Sequence, residues 1–153
     1  MDKYRASIAK KMLDASGISS IYLDNAPENF QVPSMYFPPQ EIAPSPSTLN
    51  AYDDHATLYA YVFDVTGNKA LERANDIADS VASDRFLISV MSQDGKDSGE
   101  KFKVRISSTR KVDELSALIT VLYDVDKRYA EDTDIDFAKY IYAEFEIKTK
   151  EGG

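Results

Sequence analysis

The sequence predicts an α+β fold, a mostly antiparallel sheet with two helices packed on one face, a long proline-rich loop and a projecting hairpin. Two segments repeat apolar residues every three or four positions, several others alternate apolar and polar residues, and all six prolines lie between Pro27 and Pro46. A chain of 153 residues is long enough to bury a core. We therefore expect a single domain over residues 1–153, with 151–153 as a flexible tail.

Helical periodicity predicts two helices. The first covers Met1–Ser16 and ends at Gly17, which can adopt the left-handed conformation of a C-terminal cap. The second covers Lys69–Ser83, with Asn68 as its N-cap. Their apolar faces consist of Tyr4, Ile8 and Met12 in the first helix, and of Leu71, Ala74, Ala78 and Val81 in the second.

Alternating or β-branched segments predict the strands, which cover Ser20–Asp24, Phe30–Phe37, Thr57–Val65, Phe86–Gln93, Lys101–Lys111, Leu115–Lys127 and Ala138–Lys150. The Thr57–Val65 strand is apolar on both alternating faces, so we expect it to be central and covered on both sides. The Leu115–Lys127 segment also fits a helix. Its β-branched residues Ile119, Thr120 and Val121 favour a strand.

Proline dominates the segment that follows the first strand. Pro33 interrupts Phe30–Phe37, and Pro38 with Pro39 ends it. Because proline has no backbone N–H to donate within a sheet, this segment should lie at a sheet edge or lead into an exposed arm. Residues 38–54 are rich in Pro, Ser, Asn and Asp, which predicts an extended loop or arm that orders against a partner.

Composition excludes several classes of protein. The formal net charge of −8 argues against a dedicated nucleic-acid-binding protein, because phosphate contacts need clustered basic side chains. The absence of cysteine excludes a disulfide framework, a thiol nucleophile and thiolate metal sites. No apolar run reaches the ~20 residues of a membrane-spanning helix. The charged start, Met1–Lys11, is not expected to be a secretory signal.

The sequence offers no catalytic arrangement. His55 is the only histidine, so no histidine-based dyad, triad or metal site can form within one chain. The acidic run Asp132–Asp136 lacks the glycine and the glutamate that a calcium loop requires at later positions. We expect no catalysis, no cofactor and no metal. The competing enzyme hypothesis would need carboxylates drawn from Asp53, Asp54, Glu144 or Glu146 to converge in a pocket.

Candidate contact residues come from two patterns. Phe30, Tyr36 and Phe37 are large aromatic residues beside prolines, and such rings are typical of protein interfaces. Residues 84–111 carry seven basic and four acidic side chains, whereas residues 124–136 carry six acidic and two basic ones. Opposite local charges suit head-to-tail contact between copies or contact between two stacked ring proteins, and solvated strand faces and turns are the alternative explanation. The charged candidates are Lys103, Arg105, Asp124 and Asp126.

A short amphipathic helix leads to Ile21-Tyr22-Leu23-Asp24, then to Phe30-Gln31-Val32-Pro33-Ser34-Met35-Tyr36-Phe37. This opening resembles that of the tail terminator (tail completion) proteins of phages and prophages of Gram-positive bacteria, and the order of the later elements is similar too. The resemblance implies a virion structural protein that is made in the host cytoplasm. Six copies usually form a ring at the head-proximal end of the tail.

In the role that this resemblance implies, the ring caps the tail tube, ends its polymerisation and presents the surface that joins the head. Its partners would be further copies of the chain, the tail tube protein and the head-tail connector protein. DNA would pass through without specific binding, and no membrane would be involved. Two alternatives stay open: another neck or connector-completion subunit, or a non-viral adaptor that binds one protein as a monomer or dimer.

Overall fold

A computed structural model describes residues 2–129 of the chain. The strand predicted over Ala138–Lys150 and the tail predicted at 151–153 lie outside the described residues. The chain divides into two compact units. The first comprises Met1–Ala43 and His55–Asp124, and the second comprises Pro44–Asp54 and Val125–Gly153.

Two helices and seven strands make up the described residues, which confirms the predicted α+β class. In chain order they are α1 (Lys3–Ser16), β1 (Ser20–Leu23), β2 (Ser34–Phe37), β3 (Glu41–Thr48), β4 (Ala51–Phe63), α2 (Gly67–Ser83), β5 (Leu87–Met91), β6 (Asp97–Lys111) and β7 (Ser116–Arg128). The segment that fitted either a helix or a strand is therefore the strand β7.

The strands form one sheet in the order β1-β2-β4-β7-β6-β5, and β3 pairs with β4. β1 and β2 are parallel, whereas β2 pairs antiparallel with β4, and β6 pairs antiparallel with both β5 and β7. The central position predicted for β4 is confirmed, because β4 lies between β2 and β7. A bulge between Ile106 and Ser108 shifts the register of β6 against β7.

Both helices begin and end at identifiable caps. Asp2 accepts a hydrogen bond from the N–H of Arg5 at the start of α1, and Gly17 ends that helix with φ of 71°, as predicted. The predicted N-cap of α2 is wrong by two residues. The cap is Thr66, whose hydroxyl accepts from the N–H of Lys69, while Gly67 fits against the backbone carbonyl of Asp113. A Cβ at Gly67 would overlap that carbonyl oxygen, so glycine is required there.

The core lies between the helices and one face of the sheet. Its fully buried side chains include Ile8 and Met12 of α1, Ala74 and Ile77 of α2, and Met35, Phe37, Leu58, Ala60, Val62, Val104, Ile119 and Val121 of the sheet. The other face of β4 carries Tyr59, Tyr61 and Phe63, which are only partly buried. Among residues 2–129 the helices cover one face of β4 alone, and the expectation that its other face is also covered stays a prediction.

The prolines around β2 flank the strand instead of interrupting it. Pro33, after a cis peptide bond, precedes the strand, and Pro38 follows it. The four residues between them supply every N–H that pairing requires, so β2 lies inside the sheet and β1 occupies the edge. The predicted edge position of the Phe30–Phe37 strand is wrong for this reason.

Residues 38–54 also differ from the predicted loop, because they contain β3 and the start of β4, joined through a turn at Leu49 and Asn50. β3 has β4 as its neighbour among the described strands. Pro44 and Pro46 are two residues apart, so both direct their missing N–H positions to the same edge of the strand. On the edge of β3 that does not face β4, these missing donors disfavour pairing with another chain.

Arg73 links α2 to the residue after β4 and to the end of α1, through a partly buried ion pair and a hydrogen bond. Arg73 of α2 donates from Nε to the Asp64 carboxylate at 2.5 Å and from Nη1 to the Ser16 carbonyl at 2.9 Å. Burial alone would raise the pKa of Asp64. The hydrogen bond from the Val65 N–H and the contact with Arg73 outweigh burial and hold that pKa below its ordinary value. Ionised Asp64 therefore stabilises the folded state.

Replacing Asp64 with asparagine is expected to lower the free energy of unfolding at pH 7 by roughly 1–2 kcal/mol, because a charge-assisted hydrogen bond is lost. The folded-state pKa is lowered, so the contribution is complete above the unfolded-state pKa of about 3.9 and disappears as pH falls through the folded-state value. Urea unfolding of both proteins from pH 7 to pH 3 measures the difference. A difference that stays constant over this range would contradict the assignment, and Asp79→Asn on an exposed helix face is the control.

Candidate protein-contact surfaces

An aromatic cluster lies on the sheet face opposite the helices. The register places Tyr22 of β1 beside Tyr36 of β2, and Tyr36 beside Tyr61 of β4. Phe63 stands on the same face, and its ring stacks on Phe30 with centroids 4.2 Å apart. The centroids of Tyr36 and Tyr61 are 5.9 Å apart, and those of Tyr61 and Phe63 are 6.4 Å apart. We call these five residues the aromatic face.

Hydrogen bonds fix the connection between β1 and β2 over this face. The Tyr36 hydroxyl donates to the Asp24 carbonyl at 3.0 Å, and the Gln31 N–H donates to the Tyr22 hydroxyl at 3.0 Å. All five rings stay partly exposed. The hydroxyls of Tyr22 and Tyr36 are bonded within the chain while ring surface faces outward, an arrangement that suits contact with another protein at low entropic cost.

A groove of about 390 Å³ opens in the aromatic face. We call it the aromatic groove. Its walls are formed by Ala26, Pro27, Glu28, Phe30, Tyr36, Pro38, Tyr61, Phe63, Val112, Asp113 and Ser116. The Leu115 N–H and the Ser116 hydroxyl both donate to Asp113, and these hydrogen bonds hold the pKa of its carboxyl below the ordinary value. Asp113 is therefore ionised at neutral pH and fixes the turn between β6 and β7.

Three exposed apolar side chains lie near the groove. Val65, Val112 and Leu115 expose 54%, 40% and 42% of their surface. The Asp64 N–H donates to the Leu115 carbonyl, so the end of β4 is held against the turn that carries Leu115. We call these three residues the apolar rim. Exposed apolar side chains beside an aromatic groove are typical of a protein-binding surface.

The structure unites two of the three predicted aromatic contact residues. Phe30 and Tyr36 belong to the aromatic face, as described above. Phe37 is fully buried in the core at 0% exposure, because its side chain points to the helix face of β2. Phe37 therefore supports the fold and is unavailable to a partner. The predicted contact role of Phe37 is wrong.

The basic candidates lie on the face of β6 that points away from the helices. Lys103 and Arg105 are exposed there and alternate with the inward-facing Phe102 and Val104. The bulge brings Arg110 to the same face, since Arg105 pairs with Leu122 and Arg110 pairs with Leu118 four residues earlier on β7. We call Lys103, Arg105 and Arg110 the basic ridge.

The acidic candidates lie on β7. Asp124 contacts His55 of β4. Val104 pairs with Tyr123 in an antiparallel register, so the adjacent residues Lys103 and Asp124 lie opposite each other on neighbouring strands. Basic and acidic residues therefore lie side by side within one copy at this point. Asp126 is exposed and belongs to the second compact unit. The predicted pairing of these residues between copies stays a prediction.

Sequence patterns alone missed Tyr22, Tyr61 and Arg110 as members of these surfaces. The two tyrosines join Tyr36 only through strand register, and Arg110 joins Lys103 and Arg105 only through a bulge. Alternation along β4 does place Tyr61 on the face opposite the buried residues Leu58, Ala60 and Val62. This alternation is the sequence signal that could have identified Tyr61 as a surface residue.

No family model matches the chain. It is 28% identical over 99 residues to the uncharacterized protein YqbJ of Bacillus subtilis strain 168, which covers 65% of this chain and 68% of that protein. It is also 28% identical over 101 residues to the phage-like element PBSX protein XkdJ of the same strain, covering 66% of this chain and 69% of that protein. The chain thus resembles a protein of a phage-like element.

Within residues 2–129, no helix has the length and apolar character needed to span a membrane. No group of three or more His, Asp or Glu side chains is arranged to hold a metal ion within this part of the chain.

Proposed function

We propose that this protein is a structural component of a phage or prophage particle and that it acts there as the tail terminator. A ring of copies would cap the tail tube, end its polymerisation and provide the surface that joins the head. The role is structural, without turnover of a substrate. The protein would be made in the host cytoplasm and reside at the head-proximal end of the tail.

The observation that carries this proposal is the similarity to the PBSX protein XkdJ over 66% of the chain. It supports a phage-related role. The finer role rests on the opening segment, whose Tyr22, Phe30 and Tyr36 resemble the start of tail terminator proteins. In the structure these three residues are neighbours on the aromatic face.

The described surfaces are compatible with the contacts that a terminator must make. A capping ring contacts further copies of itself and also the proteins above and below it. The aromatic groove and the apolar rim offer a preorganised apolar surface, which we assign to the tail tube or the connector. The net charge of −8 suits a ring that lets DNA pass, because like charges limit adhesion to the phosphate backbone.

Removing the gene from the phage or prophage that encodes this protein tests the role. We expect tails of uncontrolled, excessive length and filled heads without tails, because nothing ends tube growth or joins the two parts. Electron microscopy of the particles measures the tail lengths. Supplying the intact gene in trans should restore tails of one length attached to heads.

The other outcomes separate the alternatives. Tails of normal length that fail to join heads would overturn the terminator role and favour another neck subunit. Normal, infectious particles would overturn any structural role and favour the adaptor hypothesis. A variant with Phe63→Ser and Leu115→Ser is expected to fold and to reproduce the long-tail phenotype, since it disrupts the aromatic groove and the apolar rim.

A further inference from the structure

Helix α2 carries an acidic stripe on its exposed side. Glu72, Asp76 and Asp79 follow at helical spacing and are all exposed, whereas Ala70, Ala74, Ile77 and Val81 form the buried side. Like charges three and four residues apart destabilise a helix. We call Glu72, Asp76 and Asp79 the acidic stripe.

The acidic stripe and the basic ridge lie on opposite sides of one layer of the fold. α2 packs against the helix face of β6, where the Thr109 hydroxyl donates to Asn75 at 2.7 Å. The basic ridge points from the other face of the same strand. A single copy therefore presents negative charge on one side and positive charge on the other, and its own ridge and stripe cannot meet.

Neither surface takes part in an ion pair within the described part of the chain, and Asp124 is the acidic residue that lies beside Lys103. No ion pair between described residues includes Lys103, Arg105 or Arg110, and none includes the three acidic residues of the stripe. Leu122 lies beside Arg105 on this face and is partly exposed, whereas Leu118 beside Arg110 is already buried. The three cations are themselves exposed, so the ridge offers a defined positive charge to a partner.

We propose that the acidic stripe of one copy docks on the basic ridge of the next copy. Two different surfaces meet in this contact, so repetition generates a closed ring or an open filament. The inference rests on the proposed ring and names its interface. It replaces Asp124 and Asp126 by Glu72, Asp76 and Asp79 as the acidic side of the contact.

The spacing of the carboxylates along the acidic stripe matches the spacing of the cations along the basic ridge. Four helical residues separate Glu72 from Asp76, a rise of about 6 Å. Two strand residues separate Lys103 from Arg105, a distance of about 6.8 Å. A helix lying along the ridge can therefore place two carboxylates against two cations at once. Because exposed ion pairs are screened, assembly should weaken as salt rises above roughly 0.15 M.

Charge reversal on each side tests the contact. One variant carries Lys103→Glu and Arg105→Glu, and the other carries Glu72→Lys and Asp76→Lys. Each alone is expected to lose self-association, with the affinity between copies falling roughly 100-fold or more, because attraction becomes repulsion. Light scattering should then report the 17.1 kDa of one chain, while circular dichroism and thermal melting confirm the fold.

Mixing the two variants provides the decisive step. In the mixture, the reversed ridge of the first variant can meet the reversed stripe of the second, and the unchanged ridge of the second can meet the unchanged stripe of the first. An equimolar mixture should therefore regain the oligomer of the natural protein. The matched control carries Asp14→Lys and should assemble normally. It reverses one exposed acidic charge on α1, outside the proposed interface.

Each result supports or overturns the contact. Loss of self-association in each variant alone and its recovery in the mixture support the contact. A natural protein that forms rings, with both variants forming them equally well, overturns this interface and leaves the terminator role standing. If neither the natural protein nor the mixture associates at any concentration, the interface is overturned, and the tail lengths of the deletion strain decide the terminator role separately.

Discussion

Replacing Phe37 with alanine is expected to lower the free energy of unfolding by about 3–5 kcal/mol, the usual cost of removing a buried aromatic ring. Phe37 is fully buried among the core side chains of the sheet and the helices. The substitution removes apolar contacts and leaves a cavity that a closely packed core fills only in part. Urea unfolding followed by circular dichroism measures the loss.

Tyr36→Ala is the matched control for Phe37→Ala. Tyr36 is the preceding residue of β2, but its ring is partly exposed on the aromatic face. Tyr36→Ala should lose less stability, about 1–2 kcal/mol, and should weaken the contact with the partner that we propose for the aromatic face. The opposite pattern, an unchanged stability for Phe37→Ala together with lost assembly, would restore the contact role that the sequence suggested.

This pair of residues shows what alternation predicts and what it leaves open. The pattern correctly assigns Tyr36 and Phe37 to one strand and to opposite faces. It does not tell which face the helices cover. That choice depends on where α1 and α2 pack, which is long-range information, so both residues remained contact candidates at the level of sequence.

Helices and strands can be predicted here because the apolar periodicity, the caps and the residue types of each segment favour the same secondary structure. The repeat of Ile8 and Met12 and the cap at Gly17 identified α1, and β-branched residues identified β7 against a competing helical pattern. The N-cap of α2 was misplaced because Thr66, Gly67 and Asn68 are all acceptable near a helix start. Gly67 is required inside the helix because a Cβ at this position would overlap the carbonyl oxygen of Asp113, which is distant in sequence.

Proline content misled the interpretation of residues 38–54. Proline, serine and asparagine predict a loop on average, yet Pro44 and Pro46 share one edge of β3 and leave its other edge able to pair with β4. The spacing of two residues was the informative feature. The surfaces were predictable only in part, since Tyr22, Tyr36 and Tyr61 come from three separate strands and meet through register.

Charge was equally hard to interpret from the sequence, and Arg5 is the clearest case. It belongs to a run of charged residues at the start of the chain, where a solvated side chain is the usual expectation. The structure buries it to 7% exposure. Its Nη2 atom donates to the Phe37 carbonyl at 2.8 Å, to the Pro38 carbonyl at 2.9 Å and to the Asp24 carboxylate at 3.0 Å. One guanidinium thereby joins α1 to the ends of β1 and β2.

Replacing Arg5 with alanine is expected to lower the free energy of unfolding by about 3 kcal/mol, because acceptors at the end of β2 lose their donor. Arg5→Lys should recover part of this loss, since an ammonium group also donates but reaches fewer acceptors in a fixed geometry. Urea unfolding at pH 7 measures both variants.

Lys10→Ala is the matched control for Arg5→Ala, because Lys10 is an exposed cation on the same helix. It should change stability by less than about 0.5 kcal/mol, as surface substitutions usually do. If Arg5→Ala costs no more than this control, the side chain is solvated and does not join α1 to the sheet. The larger loss would instead show that this arginine, which the sequence groups with surface charges, holds the opening helix against the strands that carry the aromatic face.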